Sequence, residues 1–228
     1  MTISHTLEHP SASTKHRHGN ARRAGIAATV FAGIAALSLA VSTPAQAATV
    51  ISVGHIDVVR ASVSSDGSKL VLGTNDENAG NYYTAAQAAN IEFSVTKKEG
   101  NKWIIPATQT GNELFTGFAG SGNEAPGADS GEQGLYTKLK GGDHIKFTVS
   151  PASSNPGTLN LNFPSGSGVV SSGNSHTVAL EAGEDEAFHA HPKWTFSAKG
   201  TYLVNVTASN PEGKVGASGT ITLKFVTK

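Results

Sequence analysis

The chain has no cysteine, and its one methionine is Met1. Without thiols an exported form has no disulfides, so a hydrophobic core, alone or with a bound metal, must hold the fold. With no sulfur ligand past the first residue, a Cu⁺ carrier is disfavoured. Arg60 is the only arginine after residue 47. Removing the four basic and one acidic residues of positions 1–47 from the totals of 17 and 17 leaves 13 basic and 16 acidic, a net charge of −3. Such a surface lacks the basic footprint that nucleic-acid phosphates demand. After residue 47 no apolar stretch approaches the roughly 20 residues that span a bilayer. The chain also lacks a Gly-x-Ser-x-Gly elbow and a His-Glu-x-x-His helix, so an enzyme is not expected.

Residues 1–47 read as a secretory signal peptide. Lys15, Arg17, Arg22 and Arg23 lead into an apolar run over 24–41, and Ala45-Gln46-Ala47 offers small residues for cleavage before Ala48. The long charged leader resembles those of Gram-positive bacteria. No Phe or Leu follows Arg22-Arg23 at the twin-arginine offset, which favours the general export route. The mature chain, 48–228, is expected to be secreted, extracellular or cell-wall-associated, and at 181 residues it is long enough to bury a core. His5, His9, His16 and His18 leave with the leader. His55, His144, His176, His189 and His191 remain.

Past the leader the apolar pattern has period two almost everywhere, which predicts an all-β chain. Tyr202, Val204, Val206 and Ala208 alternate with Leu203, Asn205 and Thr207 after the Lys199-Gly200 turn. Further strands are expected near 50–59, 69–72, 91–96, 102–105, 144–149, 158–163, 176–180, 187–196 and 219–226. Residues 84–89 are alanine-rich and suit a turn or two of helix or a loop. The Gly-rich stretch near 117–134, almost without large apolar side chains, reads as a long surface loop. Many short strands and no long amphipathic helix favour one β-sandwich domain over 48–228, of immunoglobulin-like type, with Gly200-Thr201-Tyr202 resembling the tyrosine placement of such sandwiches.

Phe188-His189-Ala190-His191-Pro192-Lys193-Trp194 is the segment richest in chemistry. On an extended strand, residues i and i+2 share a face with roots about 7 Å apart, so two imidazoles can converge on one ion. Phe188, Ala190, Trp194 and Phe196 would then face the core and His189, His191, Lys193 and Thr195 the other side, unless Pro192 bends the strand. Two exposed histidines would have the same spacing. Gly54-His55-Ile56-Asp57 repeats the pattern, with Asp57 placed either to ligate or to orient an imidazole. His176 opens a strand just before the pair and is a candidate fourth ligand. His144 follows Gly141-Gly142-Asp143 and reads as an exposed turn residue. Three or four neutral imidazoles, with or without a carboxylate, suit Zn²⁺, and Mn²⁺, Ni²⁺ and Cu²⁺ accept the same donors.

Gly54-His55-Ile56-Asp57, Trp103-Ile104-Ile105-Pro106-Ala107-Thr108-Gln109, His189-Ala190-His191-Pro192-Lys193-Trp194-Thr195-Phe196 and Gly200-Thr201-Tyr202, in that order, resemble the actinobacterial surface-anchored protein domain family over most of residues 50–209. The resemblance implies an exported, wall-associated protein. Some members are encoded beside ABC transporters thought to carry metal ions, which implies metal capture or delivery, with ABC transporter components or a cell-wall-anchored protein as partners. The positions it implies are His55, His189 and His191, with Trp194 as a packing anchor. Lys193 stands where the family pattern has Asn, and no wall anchor follows the domain.

Two functions therefore compete. One is extracellular capture of Zn²⁺ or a similar divalent ion for or near an ABC importer. The other is a structural or adhesive cell-wall-associated module without metal, binding through Tyr82, Tyr83, Phe115 and Phe118. A hydrolytic zinc-bound water beside Glu184-Asp185-Glu186 is the weakest reading, because an exposed charge cluster at a turn explains that run more simply.

Overall fold

The computed structural model describes residues 48–183 and 185–228, so the signal-peptide reading of 1–47 and residue Glu184 lie outside the described residues. Short β-branched and aromatic runs punctuated by glycine turns form the strands. The first eight in chain order are β1 (Thr49–Ile51), β2 (Gly54–Val63), β3 (Leu70–Asp76), β4 (Asn81–Thr84), β5 (Ile91–Val95), β6 (Lys98–Glu99), β7 (Lys102–Ile105) and β8 (Leu114–Ser121). They are followed by β9 (His144–Pro151), β10 (Leu159–Asn162), β11 (Val169–Ser172), β12 (Ser175–Ala179), β13 (Glu186–Ala190), β14 (Lys193–Phe196), β15 (Gly200–Ser209) and β16 (Ile221–Thr227). The alanine-rich stretch makes a single turn, α1 (Ala85–Ala88), where Thr84 and Gln87 form a capping box.

These strands build a seven-stranded sheet in the order β1-β5-β16-β15-β9-β12-β11, a five-stranded sheet β13-β8-β2-β3-β4 and a four-stranded sheet β10-β14-β7-β6. The fold is all-β with several sheets, consistent with a β-sandwich. Aromatic contacts tie the larger sheet to the other two. Phe118 of β8 meets Phe147 of β9 at 5.2 Å between ring centroids, Phe188 of β13 meets Phe147 at 5.7 Å, and Trp194 of β14 meets Phe225 of β16 at 4.8 Å. Each fully buried aromatic contributes about 1.5–3 kcal/mol through area removed from water. The alternation in β15 holds, with Tyr202, Val204, Val206 and Ala208 buried and Leu203 and Asn205 exposed.

Three expectations change. The strand expected over 50–59 is broken at Ser52-Val53. β1 pairs in parallel with β5 in the large sheet, while β2 enters the five-stranded sheet at Gly54, whose φ of +92° only glycine adopts without strain. The strand expected over 187–196 is likewise split at His191-Pro192, since proline has no N–H for a ladder, and its halves join different sheets. Finally, the loop expected near 117–134 begins only at Gly122. Residues 117–121 continue β8, which is buried along its whole length, and the space a Cβ would need is filled by His191 and Asp57 at Gly117 and by Phe188 and Leu135 at Gly120.

Tyr202 closes one corner of this assembly. Its buried hydroxyl donates to the Ala198 carbonyl at 3.0 Å and accepts from the Ala198 N–H at 2.9 Å. Tyr202→Phe leaves the Ala198 N–H unpaired, while its carbonyl keeps the Thr227 hydroxyl at 3.1 Å, and is expected to lower unfolding free energy by about 1–3 kcal/mol. A shift of the urea midpoint at constant slope checks this, and an unchanged midpoint contradicts it.

Candidate metal centre

The outer, non-core face of the five-stranded sheet brings three histidines together across 134 positions of chain. β8 lies between β2 and β13, parallel to the first and antiparallel to the second. Asp57 stands beside Gly117, and Ala190 beside Phe118, so His191, one residue further, also reaches Gly117. Arg60, Ala119 and His189 form the next row. Irregular registers place the rest. A shift in β2 between Asp57 and Arg60 puts these two on one face three positions apart, and a shift in β13 between Glu186 and Phe188 puts Glu186 on the face of His189.

The Nε2 atoms of His55, His189 and His191 form a near-equilateral triangle, with separations of 3.2 Å from His55 to each of the others and 3.1 Å between His189 and His191. The centre of such a triangle lies about 1.8 Å from each corner, close to the 2.0–2.1 Å typical of Zn–N bonds, so the three nitrogens could hold one such ion together. The outer nitrogens are held. Nδ1 of His55 is 2.6 Å from Glu77 Oε2, and Nδ1 of His189 is 2.8 Å from Glu186 Oε2. These carboxylate–histidine pairs leave Nε2 to face the centre and make it a better donor. Nδ1 of His191 is buried without a hydrogen bond of normal geometry, its polar neighbour being the Thr116 backbone, and the ring is fixed instead by Phe115, stacked at 3.8 Å and 12°.

Asp57, fully buried, stands on the His55–His189 edge of the triangle. Its Oδ1 is 2.9 Å from His189 Nε2 and 3.9 Å from His55 Nε2 and makes no hydrogen bond of normal geometry, while Oδ2 accepts from Arg60 Nη1 at 3.0 Å. Arg60 also donates to Glu186 Oε1 at 2.8 Å and to Ser121 Oγ at 3.0 Å. The metal-competent groupings are thus His55 with His189 and His191, and His55 with Asp57, Glu77 and His189.

Without a cation the three imidazoles behave differently. Burial would lower His189, but hydrogen bonds to Asp57 and Glu186 outweigh it and raise its pKa to about 10. Burial, with His189 and His55 adding to it, pushes His191 down to about 4, and burial also lowers His55. The hydrogen bond from His189 holds Glu186 at about 2, whereas burial and the Asp57 charge push Glu77 up to about 7. While Glu77 is partly protonated at neutral pH, one proton therefore rests on the imidazoles, on His189. The stability from that proton is complete below the ordinary histidine value of about 6.5 and is lost as pH rises through 10; the depressed His191 acts in reverse, costing stability as pH falls from 6.5 towards 4.

Of the four histidines expected as ligands, three converge and His176 does not. It lies in β12 of the large sheet, buried beside Phe163, with Nδ1 2.9 Å from Ser171 Oγ. Its strand neighbours β9 and β11, so proximity in sequence to the His pair did not bring it to the five-stranded sheet. His144 is at the surface, 2.8 Å from Glu212. Sequence reasoning missed Glu77, Arg60 and the second role of Glu186. Glu77 sits in the turn after β3 with no motif to mark it, and the other two reach the site only through shifted registers.

No protein-family model, curated protein or solved structure matches this chain. The chemistry of the site rests on its own atoms. A Cβ at Gly117 would lie 2.7 Å from His191 Cε1, 3.0 Å from its Nδ1 and 3.2 Å from Asp57 Oδ1. Gly117→Ala is therefore expected to displace the His191 ring. In ¹H–¹³C spectra the His191 and Phe115 ring signals should shift while the core signal of Phe147 stays in place; unmoved His191 signals would contradict the cradle.

Proposed function

We propose that this chain is an exported, extracellular or cell-wall-associated protein that captures one divalent transition-metal ion, Zn²⁺ in the first instance, at His55, His189 and His191. The single observation carrying this reading is the triangle of Nε2 atoms at 3.1–3.2 Å, each aimed at a common point. Three imidazole nitrogens and a nearby carboxylate form a borderline donor set, suited to Zn²⁺ and accepting Mn²⁺, Ni²⁺ or Cu²⁺. The buried Asp57 Oδ1 supports it further: its nearest partner is His189 Nε2 at 2.9 Å, so once that nitrogen gives up its proton the oxygen needs a cation.

The protein is read as a binder that hands its ion on, not as an enzyme. Motif order from Gly54-His55-Ile56-Asp57 to Gly200-Thr201-Tyr202 supports membership of the actinobacterial surface-anchored domain family, and with it delivery to ABC transporter components or a wall-anchored protein. Tyr202, hydrogen-bonded to Ala198, supports the immunoglobulin-like type of sandwich. Among the described residues no helix is long and apolar enough to cross a membrane. The adhesive alternative has less to stand on, because Phe115 and Phe118 are buried, one against His191 and the other in the core.

Titration of the full chain with Zn²⁺ by calorimetry and native mass spectrometry tests the reading. One ion should bind, and it should be absent from a variant carrying His189→Ala and His191→Ala that keeps its far-ultraviolet spectrum. Binding equal in the two proteins would refute it. Because the ion must displace the proton on His189, affinity should rise about tenfold per pH unit between pH 6.5 and 8, with about one proton released per ion. The buffer dependence of the calorimetric enthalpy reads that proton directly.

A further inference from the structure

We infer that Glu77, Glu186 and Arg60, which stand outside the three-histidine set, decide the valence of the ion that set accepts. The inference rests on the metal-binding reading and deepens it. Three carboxylates lie in the cluster: Asp57 on the edge of the triangle, Glu77 against His55 and Glu186 against His189. One guanidinium answers them, Arg60, which bonds Asp57 and Glu186 together. Once a cation holds the three imidazoles neutral and the carboxylates ionised, the protein's charge around it is three negative against one positive, −2.

The centre of the cluster is withdrawn from solvent, with the Asp57 side chain 0% exposed and that of Arg60 12%, while Glu77 and Glu186 at its rim are 33% and 35% exposed. Unbalanced charge is expensive at such a place. A divalent cation at the nitrogen triangle brings the cluster to neutrality, a monovalent one leaves it at −1 and a trivalent one takes it to +1. Asp57 Oδ1, buried and 2.9 Å from His189 Nε2, is the specific point at which negative charge awaits that cation. The only arginine after residue 47 thus cancels one carboxylate so that the remainder match two positive charges.

Zn²⁺ and Ag⁺, both able to accept imidazole, separate valence from positioning. Coulomb energy scales with the product of the charges, so removing one carboxylate charge should cost the divalent ion about twice as much in log K as the monovalent one. Glu77→Gln and Glu186→Gln keep an acceptor oxygen facing each Nδ1–H and remove only the charge. Measured by competition on the full chain, the fold-loss for Zn²⁺ should be about the square of that for Ag⁺. Arg60→Met should move the Zn²⁺/Ag⁺ ratio the opposite way, upward, and Arg60→Lys should leave it unchanged. Equal losses for the two ions in the glutamine variants, or an unmoved ratio in Arg60→Met, overturn the inference while leaving metal binding intact. If a glutamine variant fails to fold, the arginine pair tests the same claim. A native chain that binds neither ion overturns the metal-binding reading itself and the inference with it.

Discussion

The candidate centre depends on one steric fact: two strands that are not neighbours must touch across a third. β2 carries His55 and Asp57, β13 leads to His189 and His191, and β8 runs between them. Side chains on a common sheet face rise side by side from their strands, so an ordinary residue on β8 would fill the gap. Gly117 leaves it open, and Ala119 in the next row adds only a methyl. Phe115, on the same face of β8, then serves as a wall on which the His191 ring lies flat. Gly117, part of what reads as a loop signal in the sequence, is what allows the imidazoles to meet.

Around the triangle, hydrogen bonds restrict each ring to one useful orientation. Glu77 and Glu186 hold outer nitrogens, and Arg60 joins Glu186 to Asp57, so β2 and β13 are linked by ion pairs as well as through the β8 ladder. Buried ion pairs contribute little net stability, because desolvation offsets much of the attraction. Their value here is orientation. Donors already ordered would avoid the entropic cost of ordering side chains on binding an ion, and without one the positive charge at the triangle is the His189 proton.

The two register shifts shape the site as much as the three histidines do. Strict alternation from His55 and Asp57 would put Val59 on the site face and send Arg60 into the core. The shift in β2 reverses this, and the shift in β13 does the same for Glu186. In both strands an irregularity beside the site re-aims one charged side chain towards it.

The amino-acid order alone determined the class of fold, because period-two burial can be satisfied only by strands, and it determined that His55 shares a face with Asp57, and His189 with His191, because parity over two residues survives most local distortion. Trp194 and Phe196 as core residues followed from the same parity. Tertiary structure alone decided which candidates met. Strand order placed β2 and β13 either side of β8 and put His176 in another sheet, and no local pattern encodes strand order. It also decided the roles of Arg60, Glu77 and Glu186, which arise from irregular registers and a turn, where alternation gives no guidance. Local periodicity is a property of neighbouring residues, whereas a centre built from positions 55, 77 and 189 exists only once sheets have chosen their partners.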